Sequence, residues 1–362
     1  MWVIGADIDN YEGNHYGKVI WAQPSHVQDV PCDYEWYRGT GDKLQTNVFG
    51  SASYTIEHFR IDGELQYRMM KYKLGGTDDN MLSVDQSYLW NFLNPKVNVF
   101  YHFDSKIQQN LNLSFSMANR EPTRSDIIDA PSAKKPVPET LYDLELGYQI
   151  YGKKYNVDVT LYGMYYKDQL VLTGELNDVG AAIMTNVDKS YRAGIEIAAA
   201  YQPVRFFTWH INGCFSHNRI INYVNYVDDW DNGGQVVENL GNTPISFSPD
   251  VVIGNDFTFN PMKNFDIDLI TKFVSKQYLD NSGNDSYCLK PYSYTNLRIS
   301  YTFHPKFVQD LGIFFQINNI FNTQYESNAW IYSYYTESVK YSDAGYYPQA
   351  GINFLGGIRI KF

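Results

Sequence analysis

Pro348-Gln349-Ala350-Gly351-Ile352-Asn353-Phe354-Leu355-Gly356-Gly357-Ile358-Arg359-Ile360-Lys361-Phe362 ends the chain, and its alternation decides the fold. Counting back from the carboxyl end, Phe362, Ile360, Ile358, Gly356, Phe354, Ile352 and Ala350 share one face. Lys361, Arg359, Gly357, Leu355, Asn353, Gly351 and Gln349 take the other. Successive side chains of a strand point to opposite sides, so this is a strand with one apolar face and one wet face. It approaches the roughly 9–11 residues that a tilted strand needs to cross a bilayer, where soluble strands stop at about 5–6. Such a strand with an aromatic last residue predicts a membrane β-barrel whose closing strand lies here.

Composition agrees with that expectation. The chain of 362 residues holds 32 Tyr, 21 Phe and 7 Trp, and Tyr and Trp favour the bilayer–water interface. Mean hydropathy is nevertheless polar at -0.39, and no apolar run is long enough for a spanning helix. A barrel reconciles the two, because half of each strand faces a wet interior. The net charge of -11 argues against a nucleic-acid partner bound through its phosphates. Cys32, Cys214 and Cys288 are far apart and odd in number, so they form no complete disulfide framework. Met1-Trp2-Val3-Ile4-Gly5-Ala6-Asp7-Ile8-Asp9 has no basic or long apolar region of a signal peptide and already alternates like a strand. The expectation is a portion of a longer protein, its targeting signal outside these residues.

Taken in order, the chain repeats one rhythm. A long Gly-, Pro- and Tyr-rich stretch from Glu12 to Asp42 reads as a loop. Leu44, Thr46, Val48, Gly50, Ala52, Tyr54 and Ile56 then lead to a tight reversal at Glu57-His58. Next, Phe59, Ile61, Gly63, Leu65, Tyr67 and Met69 alternate with Arg60, Asp62, Glu64, Gln66 and Arg68. The second set cannot line a dry core, but it can line a hydrated lumen. Short reversals fall near 57, 104, 152, 203, 261 and 305, and long polar loops, including 119–138, 219–245 and 319–347, occupy the other ends. The count is about fourteen antiparallel strands, with short turns on one rim and long loops on the other, as in outer-membrane barrels. A propeller also repeats at roughly fifty residues, but its short blades do not keep Asp, Arg, Glu and Asn along one face of long strands.

Several further stretches stand out: Asn119-Arg120-Glu121-Pro122-Thr123-Arg124-Ser125-Asp126, Pro138-Glu139-Thr140 with Glu145-Leu146-Gly147-Tyr148, and Tyr165 followed by Lys167-Asp168-Gln169-Leu170. Arg192-Ala193-Gly194-Ile195-Glu196, Asn318-Asn319-Ile320-Phe321-Asn322-Thr323-Gln324-Tyr325 and the terminal strand complete the set. In this order and spacing they resemble the carboxyl half of TonB-dependent outer-membrane receptors, and the resemblance covers nearly all of residues 1–362. It implies an all-β antiparallel transmembrane barrel in the outer membrane, of which this chain holds about the last fourteen of about 22 strands. It also implies an amino-terminal plug, with a segment engaging the TonB–ExbB–ExbD complex, which these residues do not include. In the family the terminal aromatic is read by the outer-membrane assembly machinery, a role Phe362 fits.

No catalytic constellation emerges, so the expectation is a transporter and not an enzyme, with no cofactor and no bound metal. The seven histidines are scattered, and Asp78-Asp79-Asn80 and Asp228-Asp229-Trp230-Asp231-Asn232 lack calcium-loop spacing. Arg120 and Arg124, at a strand's outer end, suit a carboxylate or phosphate ligand, or an ion pair with Glu121 or Asp126 that orders the loop. Trp230 in one long loop, and Trp330, Tyr332, Tyr334 and Tyr335 in the last, suit stacking on a planar ligand or interfacial packing. Arg60, Asp62, Glu64 and Arg68 face a lumen filled by water or by the plug. The functional expectation is uptake of a scarce nutrient such as a ferric siderophore or cobalamin; a passive porin of about fourteen strands is the alternative. A barrel-rim enzyme would need a converging nucleophile and base, and a soluble carbohydrate-binding protein would need no detergent.

Overall fold

Extended backbone dominates the computed structural model, which describes residues 1–21, 30–130, 135–177 and 180–362. The elements are β1 (Trp2–Val19), β2 (Tyr34–Ile56), β3 (Phe59–Gly76), β4 (Gln86–His102), β5 (Gln108–Arg120), the short α1 (Arg124–Ile128), β6 (Glu139–Tyr151) and β7 (Tyr155–Leu176). They continue with β8 (Ala182–Val204), β9 (Phe207–Asp229), β10 (Gln235–Pro244), β11 (Val251–Met262) and β12 (Phe265–Val274). The last are two-residue β13 (Gln277–Tyr278) and β14 (Cys288–Leu289), then β15 (Tyr292–Phe303), β16 (Asp310–Asn318), β17 (Glu326–Thr336), β18 (Val339–Pro348) and β19 (Asn353–Lys361). His26 and part of the 119–138 loop fall outside the described residues.

Each of β1 to β8 pairs antiparallel with the strand that follows it. The wall continues β9–β11–β12–β15–β16–β19, so β1 to β9 with these five make the fourteen expected strands. β10 runs beside the upper half of β9, while β17 and β18 form a hairpin that touches the tip of β9. Among the described residues β1 pairs only with β2, and β19 only with β16.

The register carries the sidedness across the wall. Ile4, Gly50 and Leu65 lie abreast, and so do Asp7, Asn47 and Arg68 on the opposite face. Ile4 is 73% exposed, Ile358 69% and Phe354 63%, a belt of bare apolar side chains that only hydrocarbon would cover. No described helix is long and apolar enough to cross a membrane, which says nothing of the strands.

Two expectations are corrected here. Most of the Glu12–Asp42 stretch is strand, since β1 runs on to Val19 and β2 begins at Tyr34. Their Gly and Tyr residues sit in a continuous antiparallel ladder, with Gly13 opposite Gly41 and Gly17 opposite Tyr37. The loops 219–245 and 319–347 are likewise largely the ribbons β9–β10 and β17–β18.

The dry clusters sit at the long-loop rim. They are Val171, Val187, Ile220, Tyr223 and Ile245; Leu279, Leu289, Ala329 and Ile331; and Tyr72, Leu74 and Ile127. Each fully buried aliphatic side chain there contributes about 1.5–3 kcal/mol. Asn319, in one of the signature stretches, acts as a turn clamp: its amide donates to the Thr323 carbonyl at 2.9 Å and its Oδ1 accepts from the Thr323 N–H at 2.9 Å. Gly194 is required for another reason, because a Cβ there would lie 2.3 Å from the Phe215 carbonyl oxygen.

Candidate functional site

Two chemically distinct surfaces lie inside the wall. The lower one is polar. Arg60 pairs with Asp62 at 3.1 Å and lies over the Phe100 ring, while Glu64, on the same face, is exposed. Arg68 is tied to its own chain, pairing with Glu121 at 2.9 Å, donating to the Asn119 carbonyl at 2.9 Å and covering Phe92. Lys43 takes the other Glu121 oxygen at 2.7 Å. Burial alone would raise the Glu121 pKa, but the Lys43 hydrogen bond, a backbone bond and the Arg68 charge outweigh it and hold the carboxyl low.

The ion pairs expected of the 119–126 stretch are different ones. Arg120 pairs with Glu139, opposite it in the β5–β6 register, at 3.0 Å. Asp126 closes a capping box with Thr123 on α1, and Glu121 is held by Lys43 and Arg68. Arg124 pairs with neither Glu121 nor Asp126; it leans against Gly39, where a Cβ would meet its Nη2 at 2.7 Å, and its buried Nε has no partner among the described residues. A one-turn helix thus presents a guanidinium to the interior beside the buried Tyr72 and Leu74. Arg120 and Arg124 do not converge on one ligand position.

The upper surface is a cavity of about 430 Å³ beneath the β17–β18 hairpin. Thr173 and Glu175 of β7, Thr185 and Asp188 of β8, Tyr223 to Val227 of β9, Gln235, Asp280, and Ile331 and Ser333 of β17 line it. Its size falls within the 300–1,000 Å³ typical of small-molecule pockets. Asp280 accepts from the Ser282 N–H and hydroxyl, and Asp228 accepts from Gln235 and from the Tyr332 hydroxyl at 2.9 Å. Glu175 accepts no side-chain hydrogen bond among the described residues. Burial, then the charges of Asp228 and Asp280, push its pKa up to about 7. Burial also raises the Tyr223 hydroxyl.

The aromatic residues expected in the last loop form the rim. Trp230 stacks on Tyr334 with centroids 3.8 Å apart and planes 10° from parallel, and its indole N–H donates to the Tyr332 oxygen at 3.2 Å. Tyr335 points the other way and donates to Glu238 at 2.8 Å, beside Lys340. Trp330 lies over Gly345, so a Cβ there would be 2.2 Å from its Nε1. The rim therefore unites Trp230, Tyr332 and Tyr334, with Trp330 and Tyr335 bracing the hairpin. Phe362 lies past the end of β19, 92% exposed.

Sequence reading missed Glu175, Tyr223 and Asp280, because the cavity joins residues up to 160 positions apart. One signal was there: Glu175 is the lone charge in Leu170-Val171-Leu172-Thr173-Gly174-Glu175-Leu176. Among the described residues no His, Cys, Asp and Glu cluster has metal-binding geometry.

Comparison with known proteins agrees with this architecture. A family model described as TonB dependent receptor-like, beta-barrel, matches residues 2–320. No curated protein sequence matches. Among solved structures, the siderophore receptor PiuA from Acinetobacter baumannii superposes with a TM-score of 0.72 at 11% identity, covering 99% of this chain and 52% of that one. The ferric yersiniabactin uptake receptor FyuA from Yersinia pestis gives 0.64 at 14%, covering 100% and 51%, and the ferric citrate transporter FecA gives 0.67 at 17%, covering 98% and 50%. The chain spans about half the length of these receptors, and at such identities the likeness is one of fold. With the family model matched over most of its length, the chain belongs to the TonB-dependent receptor family, as part of the β-barrel.

Proposed function

We propose that this chain is the carboxyl-terminal barrel portion of an outer-membrane receptor in a Gram-negative bacterium. The receptor takes up a scarce nutrient, a ferric siderophore or cobalamin, captured in the chamber at the long-loop rim. The observation that carries this reading is sidedness: neighbouring strands β1, β2 and β3 turn bare apolar residues to one face and Asp, Asn and Arg to the other, below a cavity at the long-loop rim. Proteins of the same fold include a ferric yersiniabactin uptake receptor and a ferric citrate transporter.

In this reading no covalent chemistry occurs. Loops hold the ligand, and the TonB–ExbB–ExbD complex drives movement of an amino-terminal plug seated against Arg60, Asp62, Glu64 and Arg68. Phe362 marks the closing strand for the outer-membrane assembly machinery, and lipid covers the Ile/Phe belt. The test is uptake by cells that depend on the whole receptor, with and without TonB, using labelled ferric siderophores and cobalamin. Ligand accumulation that requires TonB is expected. Accumulation independent of TonB, together with steady ion conductance in planar bilayers, would instead establish a passive porin.

A further inference from the structure

The six short reversals of the wall join β2–β3, β4–β5, β6–β7, β8–β9, β11–β12 and β15–β16, so antiparallel pairing brings all six to one end of the barrel. Five consecutive tips along that rim carry a cation: Lys106, Lys153 with Lys154, Arg205, Lys263 and Lys306. All are exposed, and only Glu57 and Asp104 oppose them in the tips, in a chain whose net charge is -11. Lys154 donates to the Pro203 carbonyl at 2.8 Å; the other five make no side-chain hydrogen bond or ion pair among the described residues. At the long-loop end the chain pairs its own charges, as in Arg120–Glu139, Lys276–Asp285 and Lys340–Glu238. Four of the tip cations also adjoin a bare apolar side chain. Lys106 precedes Ile107, Arg205 lies between Val204 and Phe206, Lys263 follows Met262, and Lys306 precedes Phe307, which is 81% exposed. Water alone gives no reason for that recurring pair. At a bilayer surface the apolar member enters the hydrocarbon edge while the cation meets the headgroup.

We propose that the short-turn rim binds the headgroups of anionic phospholipids in the adjoining leaflet, each cationic tip taking a phosphate through its unpaired Lys or Arg. The proposal rests on the membrane reading above, and not on which nutrient the receptor takes up. The rim is continuous with the Ile/Phe belt: Phe59 opens β3 and Phe303 closes β15, both bare on the lipid-facing side, so hydrocarbon reaches the foot of the hairpins. Tips recur at every second strand, so neighbouring cations stand roughly 10–13 Å apart along a tilted rim, and each has its own headgroup. A phosphate diester offers full negative charge and free oxygens, to which an ammonium or guanidinium makes short charge-assisted bonds. A zwitterionic lipid presents the same phosphate with its own cation beside it, so preference for anionic lipid is the signature. Near an anionic surface each such residue is worth about fivefold in binding.

The test places the whole receptor in phosphatidylcholine vesicles carrying a trace of spin-labelled phosphatidylglycerol or of spin-labelled phosphatidylcholine. Electron paramagnetic resonance reads the fraction of each label held motionless against the protein. The anionic label should be held about fivefold more tightly, and rising sodium chloride should erode the difference. Lys106→Gln, Lys153→Gln, Arg205→Gln, Lys263→Gln and Lys306→Gln together should make the two labels equal. Lys135→Gln with Lys290→Gln, exposed at the long-loop end, should keep the preference. Should the quintuple variant lose its heat-modifiable electrophoretic mobility, Lys263→Gln with Lys306→Gln, which clears two neighbouring tips, should lower the preference by about half in its place. A preference kept by the short-turn variants, or lost in the long-loop one, would overturn the proposal. So would its loss in inorganic phosphate but not in sodium chloride of equal ionic strength, which would assign the rim to a free oxyanion. Equal holding of both labels by the parent removes this inference alone, whereas no held lipid of either kind removes the membrane reading itself.

Discussion

Glu175→Gln is expected to stabilise the roof of the upper cavity in alkaline conditions and to do nothing in acid. The carboxyl's ordinary value of 4.5 rises to about 7 because burial and the Asp228 and Asp280 charges disfavour its ionised form. A pKa raised by folding means that the folded state holds the proton more tightly. No penalty exists below 4.5; it grows as pH climbs and is complete above 7. At about 1.4 kcal/mol per tenfold change, the full penalty is about 3 kcal/mol, and water entering the cavity lowers it to about 1–2. Glutamine keeps the shape and carries no charge. Hydrogen exchange of peptides covering residues 326–348 reads the opening of the β17–β18 hairpin, with residues 59–76 in the wall as internal reference. At pH 8 the variant should exchange roughly 5- to 30-fold more slowly than the parent in the hairpin, the change that 1–2 kcal/mol produces. At pH 4.5 the two should coincide. Equal exchange at both pH values, or faster exchange in the variant at pH 8, would refute the placement of an unsatisfied carboxyl under this hairpin.

Other perturbations separate surface pairs from buried ones. Arg120→Ala should cost under about 1 kcal/mol in unfolding midpoint measurements, because the guanidinium is half exposed. Glu139→Ala should cost about 1–3 kcal/mol, since Glu139 also accepts the N–H of buried Leu170 at 2.8 Å. Glu121, held low by Lys43 and Arg68, contributes fully above the ordinary carboxylate range and loses its contribution as pH falls through its depressed value. Exchange of residues 121–130 should therefore be slow at neutral pH, rise in strong acid, and already be raised at neutral pH in Glu121→Gln. Gly194→Val should abolish the folded electrophoretic form, because relieving a 2.3 Å approach to a backbone oxygen needs a shift of β8 against β9 and overpacking costs about 1–3 kcal/mol or more.

Period-two alternation made the wall legible, because a strand facing lipid on one side and water on the other writes both environments into its sequence. The same signal fades above the membrane, where both faces of β1 and β2 carry Gly, Tyr, Asn and Lys, and the ribbon there reads as loop. The β17–β18 turn was hidden for a different reason: Glu337 and Ser338 hold positive φ angles of 52° and 62°, in a two-residue turn without the usual Asn-Gly signature. Arg120–Glu139 follows from the register of the β5–β6 ribbon once its length is known, whereas Arg68–Glu121 needs the loop to fold inward. The cavity has no local signature, for it exists only where β7, β8, β9 and β17 meet.

Strand length explains why the interior has two storeys. β2 holds 23 residues, which at about 3.3 Å each is about 75 Å, or about 58 Å of height at a tilt near 40°. The apolar belt of such a barrel is about 25 Å tall, so more than half of β2 stands outside the bilayer. On β3, eleven residues from Phe59 to Met69 cover the crossing, and the inner face turns from Arg60, Asp62, Glu64, Gln66 and Arg68 to buried Met70, Tyr72 and Leu74 just above it. β9 does the same, with His210, Asn212, Ser216 and Asn218 below and Ile220, only 1% exposed, above. The change of lining at one height on separate strands means that the lower storey is built to meet water or a polar occupant, and the upper to pack against its own loops. Exchanging the Arg60–Asp62 pair should therefore alter what the lumen retains, while hydrogen exchange in the upper storey stays unchanged.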